Sequence, residues 1–173
     1  MRTKDEDAFE WFASRVLPRL LRTAWLLTGD AGQAEDAAQE ALVRLYGVWP
    51  RVRYEEPEPY VLRILRNVVV STWRKDRRLV LVEEVREGGS ATPIADRGGT
   101  AGAVADRLDL VRALQSLPAR EREVVVLRHY ADLSERAVAE ALGVSVGTVK
   151  SSSSRGLERL RTLMSDQGEA HVR

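Results

Sequence analysis

Apolar residues recurring every three or four positions fill two stretches of this chain, and a run rich in glycine and small polar residues separates them. No other feature constrains the fold as much. A period near 3.6 lines up one buried face only on a helix, so the pattern asks for helices on both sides of a break. In the first stretch Phe9, Phe12, Val16, Leu20, Ala24 and Leu27 share such a face. Pro18 falls inside this run and is expected to interrupt and kink it. Thr28-Gly29-Asp30 reads as a stop and restart, with Asp30 as the next N-cap. Ala34, Ala38, Ala41, Leu45 and Val48 mark a second helix that should end before Pro50. Leu62, Leu65, Val69 and Trp73 mark a third, with Pro59 in its first turn. That helix closes in Arg74-Lys75-Asp76-Arg77-Arg78, cations suited to the negative end of a helix dipole.

The break holds Glu87-Gly88-Gly89-Ser90-Ala91-Thr92-Pro93 and Asp96-Arg97-Gly98-Gly99-Thr100-Ala101-Gly102, which offer little to bury. Residues 79–105 are therefore expected to form a flexible linker. The glycines do not make a phosphate loop, since no Gly-Lys-Ser/Thr follows. Beyond the break, Leu108, Val111 and Leu114 form a stripe, and Pro118 opens a helix through Val124, Val125 and Leu127. Further helices are expected from near Ser134 and from Ser145 to Met164, with a frayed polar tail over 165–173. No segment alternates as a strand would. The predicted fold is all-α, with two small helical domains, 1–78 and 106–164, joined by the linker.

Composition narrows the function by exclusion. The chain has 173 residues, 44% hydrophobic and 31% charged, an ordinary soluble globular mixture. Apolar runs such as Val68-Val69-Val70 are too short to span a bilayer, and the charged N-terminus lacks the apolar region of a signal peptide. The absence of cysteine removes disulfides and cysteine zinc sites and fits a cytoplasmic protein. His129 and His171 are too few for a metal site, and no nucleophile motif surrounds the serines, so neither an enzyme nor a cofactor is expected. Net charge is only +1. The basic residues are nearly all arginine, which suits phosphate and guanine contacts but equally reflects a GC-rich genome.

The most specific motif runs from Leu133 to Lys150 and reads as a helix-turn-helix. Ser134 can cap its first helix, Ala139 is small where two helices cross, and Gly143 supplies a left-handed turn. Ser145 caps the second helix and Val149 points into the core. Lys150, Ser151, Ser154 and Arg155 then lie on the outer face, short or cationic donors suited to phosphates and base edges. Four consecutive serines from Ser151 to Ser154 lower helix propensity, so this helix is expected to be marginally stable until DNA binds.

With those residues in place, the chain resembles the extracytoplasmic-function (ECF) sigma factors of the sigma-70 family. The segment from Asp132 to Arg161, preceded by Leu114-Gln115-Ser116-Leu117-Pro118 and Arg122, is similar to their region four. Thr28-Gly29-Asp30 with Ala34-Glu35-Asp36-Ala37-Ala38-Gln39-Glu40 is similar to region two around its polymerase-binding helix. Pro59-Tyr60-Val61-Leu62-Arg63-Ile64-Leu65-Arg66-Asn67 resembles the segment reading the −10 element. Within the family the likeness is to the actinomycete group often labelled sigma-E-like. Ser153 departs from the pattern, standing where the family has an apolar residue.

The resemblance implies a division of labour. Glu35, Asp36, Gln39, Glu40 and Arg44 would dock on the clamp helices of the polymerase's largest subunit. Arg51, Arg53, Tyr54 and Asn67 would form the pocket for a base flipped out of the −10 element, while Arg63, Arg66, Arg74 and Arg77 would hold phosphates. Flipping costs a few kcal/mol of unstacking, recovered by stacking and edge contacts in the pocket. Gly147, Thr148, Lys150, Ser151, Ser154 and Arg155 would read the −35 element, with the same domain touching the polymerase flap. Two elements about two duplex turns apart lie roughly 70 Å apart. A linker of about 27 residues reaches roughly 90 Å extended but averages about 30 Å as a coil. The free chain, expected to be a cytoplasmic monomer that joins the nucleoid only in holoenzyme, should therefore bind promoters weakly and need core polymerase to hold it open. Its partners would be core polymerase and promoter DNA, with an anti-sigma factor as one way to control it. The competing readings are a stand-alone dimeric helix-turn-helix regulator and a helical adaptor that binds only proteins.

Overall fold

The computed structural model describes residues 4–52, 56–80 and 101–170, of which 73–80, 101, 103, 104 and 166–170 enter as backbone only. Among these residues there are seven α-helices and one π-helical turn, and no strand. Helices α1 (Lys4–Thr28), α2 (Ala31–Val52) and α3 (Pro57–Val80) form the N-terminal half. The C-terminal half holds α4 (Ala101–Gln115), α5 (Ala119–Val125), the π-helical turn Val126–Tyr130, α6 (Glu135–Leu142) and α7 (Val146–Ala170).

The apolar faces read from the sequence become the core. Val16, Leu20, Ala24 and Leu27 of α1 are buried against Ala34, Ala38, Ala41 and Leu45 of α2 and Leu62, Leu65 and Val69 of α3. Phe9 and Phe12 close the open end of this bundle on Trp49, with ring centroids 5.3 and 5.1 Å apart. Gly29 ends α1 with φ +77°, its N–H bonded to Trp25 O at 2.7 Å. Asp30 then caps α2, its carboxylate accepting from Gln33 N at 2.8 Å.

Neither proline interrupts its helix. Pro18 sits inside α1, and α2 continues through Pro50 to Val52. A proline costs a helix one internal hydrogen bond. Here burial of Trp49 and Val52 outweighs that loss, and the freed carbonyl at Tyr46 belongs to an exposed residue that water can reach. Helix α3 runs to Val80, α4 begins at Ala101, and α7 extends past Met164 to Ala170, so the helices overrun the expected ends of the linker and the tail. Most of the expected linker, residues 81–100, lies outside the described residues.

The C-terminal half is built from short helices and sharp turns. Ser134 caps α6 by accepting from Ala137 N at 3.1 Å. Gly143, at φ +64°, ends it in a left-handed turn whose amides return to Ala139 and Glu140. Two features had no clear signature in the sequence: the π-helical turn, and Asp132 at φ +52° just beyond it. The two halves also pack on each other, α1 against α4 and the π-helical turn, and α3 against α6, so that one apolar core runs through both.

Candidate nucleic-acid interface

The helix-turn-helix forms as the motif requires. Ser145 Oγ accepts from Thr148 N at 3.1 Å and lies 2.9 Å from Thr148 Oγ1, fixing the first turn of α7. Val149 is fully buried beneath α6, whose Val138 and Leu142 complete the small core. Gly147, Lys150, Ser151, Ser154 and Arg155 are exposed, and Thr148 is half-buried. Lys150 Nζ reaches Glu135 at 3.7 Å, while Ser151 Oγ donates back to Thr148 O at 3.1 Å.

The serine run is helical throughout, and its members differ in surroundings. Ser152 is buried and Ser153 half-buried, the latter 2.8 Å from His129 Nε2. Ser152 lies one helical turn before Gly156, where a Cβ would come 2.7 Å from Val125 Cγ2. Small residues one turn apart therefore let α7 lie close on α5. Arg155 is less free than its position suggested. Its Nε lies 3.7 Å from Glu121, which also pairs with Arg159 at 3.1 Å, so this cation helps tie α7 to α5.

The candidate −10 residues divide. Arg51, Arg63 and Asn67 are exposed, with the Arg63 guanidinium 4.8 Å above the Tyr60 ring. Arg74 and Arg77 lie on the last turns of α3, where only the backbone is described, and Arg53 and Tyr54 lie outside the described residues. Arg66 differs from all of these. Its side chain is only 12% exposed, pairs with Glu123 at 3.5 Å, and donates to the Ala141 carbonyl at 3.3 Å and to Asn67 Oδ1 at 3.0 Å. Expected to hold phosphate, it faces the C-terminal half instead. Glu35, Asp36, Gln39, Glu40 and Arg44 form one exposed polar surface on α2, with Glu40 and Arg44 paired at 2.5 Å. Val43 and Tyr46, 71% and 50% exposed, are apolar neighbours on that helix that charge patterning did not single out.

Two groups at the junction are shifted from their ordinary pKa values. Burial lowers that of the Arg122 guanidinium, with the Glu123 carboxylate opposing the shift. Burial raises that of the Tyr130 phenol, against the pull of Arg22, Arg19 and Arg107.

Residues 12–79 match the family described as sigma-70 region 2, and residues 107–160 the family described as sigma-70, region 4. The RNA polymerase sigma-E factor of Streptomyces avermitilis is 37% identical over 154 residues, which span 88% of this chain and 83% of that relative. The chain is an extracytoplasmic-function sigma factor of the sigma-70 family. The sigma factor is also 33% identical to the ECF RNA polymerase sigma factor SigL of Mycobacterium tuberculosis over 152 residues, 86% of this chain and 84% of that one. Among solved structures it is similar to the sigma factor RpoE of Bartonella quintana, in co-crystal with the anti-sigma factor NepR. The TM-score is 0.78 at 28% identity, covering 91% of this sigma factor and 96% of that chain. Its function is therefore that of an RNA polymerase sigma factor, binding core polymerase and promoter DNA, and such initiation factors are in general non-enzymatic. Among the described residues no helix is long and apolar enough to cross a membrane.

Proposed function

We propose that this sigma factor reads the −35 element through the first turns of α7 and the −10 element through α3 and the end of α2, while the exposed face of α2 docks on core polymerase. The observation that carries the reading is the capped start of α7. Ser145 fixes the first turn against a buried Val149, and Gly147, Lys150, Ser151 and Ser154 project from one rigid surface. A helix so held presents donors to the major groove in fixed register. Lys150 is the leading base-edge or phosphate contact of this helix, and Arg155, tied to Glu121, is secondary. On α3, Arg63 and Asn67 are the exposed −10 contacts, with Arg51 beside them at the end of α2. The half that ends with α3 and the half that begins with α4 act as the two reading heads, joined by the segment between those helices.

The sigma factor acts in the cytoplasm, as a monomer when free. A chain similar to it is held by an anti-sigma factor, which makes such a protein a third expected partner. The test is run-off transcription from a genomic promoter library with purified core polymerase. New, defined start sites should appear only when the chain is added. Lys150→Ala should weaken −35 binding by holoenzyme and lower its salt slope by about 1, and Arg155→Ala should do less. Absence of new starts with core binding intact would overturn the reading, equal losses for the two variants would overturn the ranking of Lys150 over Arg155, and no loss for either would overturn the assignment of α7.

A further inference from the structure

One buried carboxylate serves two exposed arginines of the reading helix. Glu121 lies in the first turn of α5 with its side chain only 9% exposed. Its Oε1 faces Arg155 Nε at 3.7 Å, and its Oε2 faces Arg159 Nε at 3.1 Å. Gly156 brings the helices near enough for this, since a Cβ there would stand 3.4 Å from Glu121 Cβ and from its carbonyl oxygen. A carboxylate so enclosed is costly unless cations match it, so the two arginines complete it. They are not used up by it. Glu121 Oε2 receives no hydrogen bond among the described residues, so Arg159 meets it as charge on charge. Both arginines make their closest approach through Nε, and their side chains are 60% and 58% exposed. The outer Nη groups, with most of a guanidinium's donors, are left to give hydrogen bonds elsewhere.

The place of these arginines on α7 fixes what their donors meet. Lys150, Ser151 and Ser154 form the exposed reading face, and Ser152, Gly156 and Leu160 the buried one. Arg155 and Arg159 stand one turn apart on the flank between the two, beside α5. A helix lying in the major groove turns its face to base edges and its flanks to the phosphate walls. The planar fork of arginine suits phosphate better than a point charge does. We propose that Arg155 and Arg159 form a paired phosphate grip on the −35 duplex, and that Glu121 is the positioning residue that aims both. The inference deepens the −35 role given above to α7 and rests on it. Arg159 adds a contact to those already named. Glu121 adds a negative charge that strengthens binding to a polyanion through its neighbours.

The sign of one substitution separates this role from bulk electrostatics. Glu121→Gln keeps the shape and removes a negative charge, so charge alone predicts tighter DNA binding. An amide also accepts from only one of two arginines, because its nitrogen is a donor. Holoenzyme carrying each variant is titrated onto a promoter duplex found by run-off, across a salt series. Glu121→Gln should bind roughly eightfold more weakly at about 0.1 M salt, with a salt slope lower by about 1, as the loss of one phosphate contact implies. Arg159→Ala should do the same. Adding Glu121→Gln to Arg155→Ala with Arg159→Ala should cost no further affinity, since nothing is left to aim. A residue that only stiffened the fold would lower the urea midpoint and leave the slope as it was. Equal or tighter binding by Glu121→Gln would overturn the positioning, as would a further loss in the triple variant. An unchanged slope for Arg159→Ala would overturn the grip. Should Glu121→Gln lose its helical circular dichroism, Glu121→Asp takes its place. It keeps the charge and withdraws it by one methylene, so charge alone predicts no change and the grip predicts a loss. Lys150→Ala is measured alongside. If it too leaves binding unchanged, the −35 assignment of α7 falls; if it alone weakens binding, the grip falls and that assignment stands.

Discussion

The two halves reach a fixed shape by different means. The N-terminal half relies on length and bulk: three helices of 25, 22 and 24 residues, with Leu20, Leu27, Leu45, Leu62 and Leu65 fully enclosed and aromatic rings sealing one end. The C-terminal half relies on local chemistry, with caps at Ser134 and Ser145, a left-handed glycine at 143, and a close helix crossing at Gly156. A bulky bundle makes a platform tolerant of what its outer face carries. A capped, closely crossed set of short helices aims one helix and has little slack. Docking on a large protein suits the first, and register in a DNA groove the second.

Three substitutions probe that contrast. Leu45→Ala, at a fully buried site in the bundle, should cost about 3 kcal/mol of stability in urea unfolding through the cavity it leaves. A cost below about 1 kcal/mol would mean that the bundle collapses around the gap and its bulk is not what holds it. Gly156→Ala should cost about 2 kcal/mol, because the new methyl meets Val125 Cγ2 at 2.7 Å and must push α7 off α5. It should also weaken −35 duplex binding while leaving core binding intact; loss of both would show that the halves do not divide the work. Ser145→Ala should cost about 1 kcal/mol, and hydrogen exchange should show the amides at the start of α7 opening faster while those of α2 stay as they were. Unchanged exchange at Thr148 would mean that the cap is not what fixes the helix start.

The contrast also explains what could be read in advance. Asp30, Ser134, Gly143 and Ser145 act within three or four residues of themselves, so each role is written in its neighbours. The buried faces of α1, α2 and α3 follow from periodicity for the same reason. The junction is different. Gln115 meets Leu26 across 89 positions and Arg19 meets Ala131 across 112, and no local pattern marks such pairs. Arg63 and Arg66 look alike in the sequence, yet one stacks on Tyr60 in the open and the other is enclosed by α5 and α6. Pro50 reads as a stop because its cost is local, whereas the burial of Trp49 and Val52 that outweighs it depends on packing against distant residues.

Gly29 carries a consequence for anyone recombining these proteins. Its positive φ turns the chain between α1 and α2, and its missing side chain admits Gln115 from the other half. A graft of another region four onto these first three helices would keep the turn but could lose the fit unless the donor also places a glutamine there. The halves are thus matched as neighbours, and position 115 is the first to inspect in any chimera.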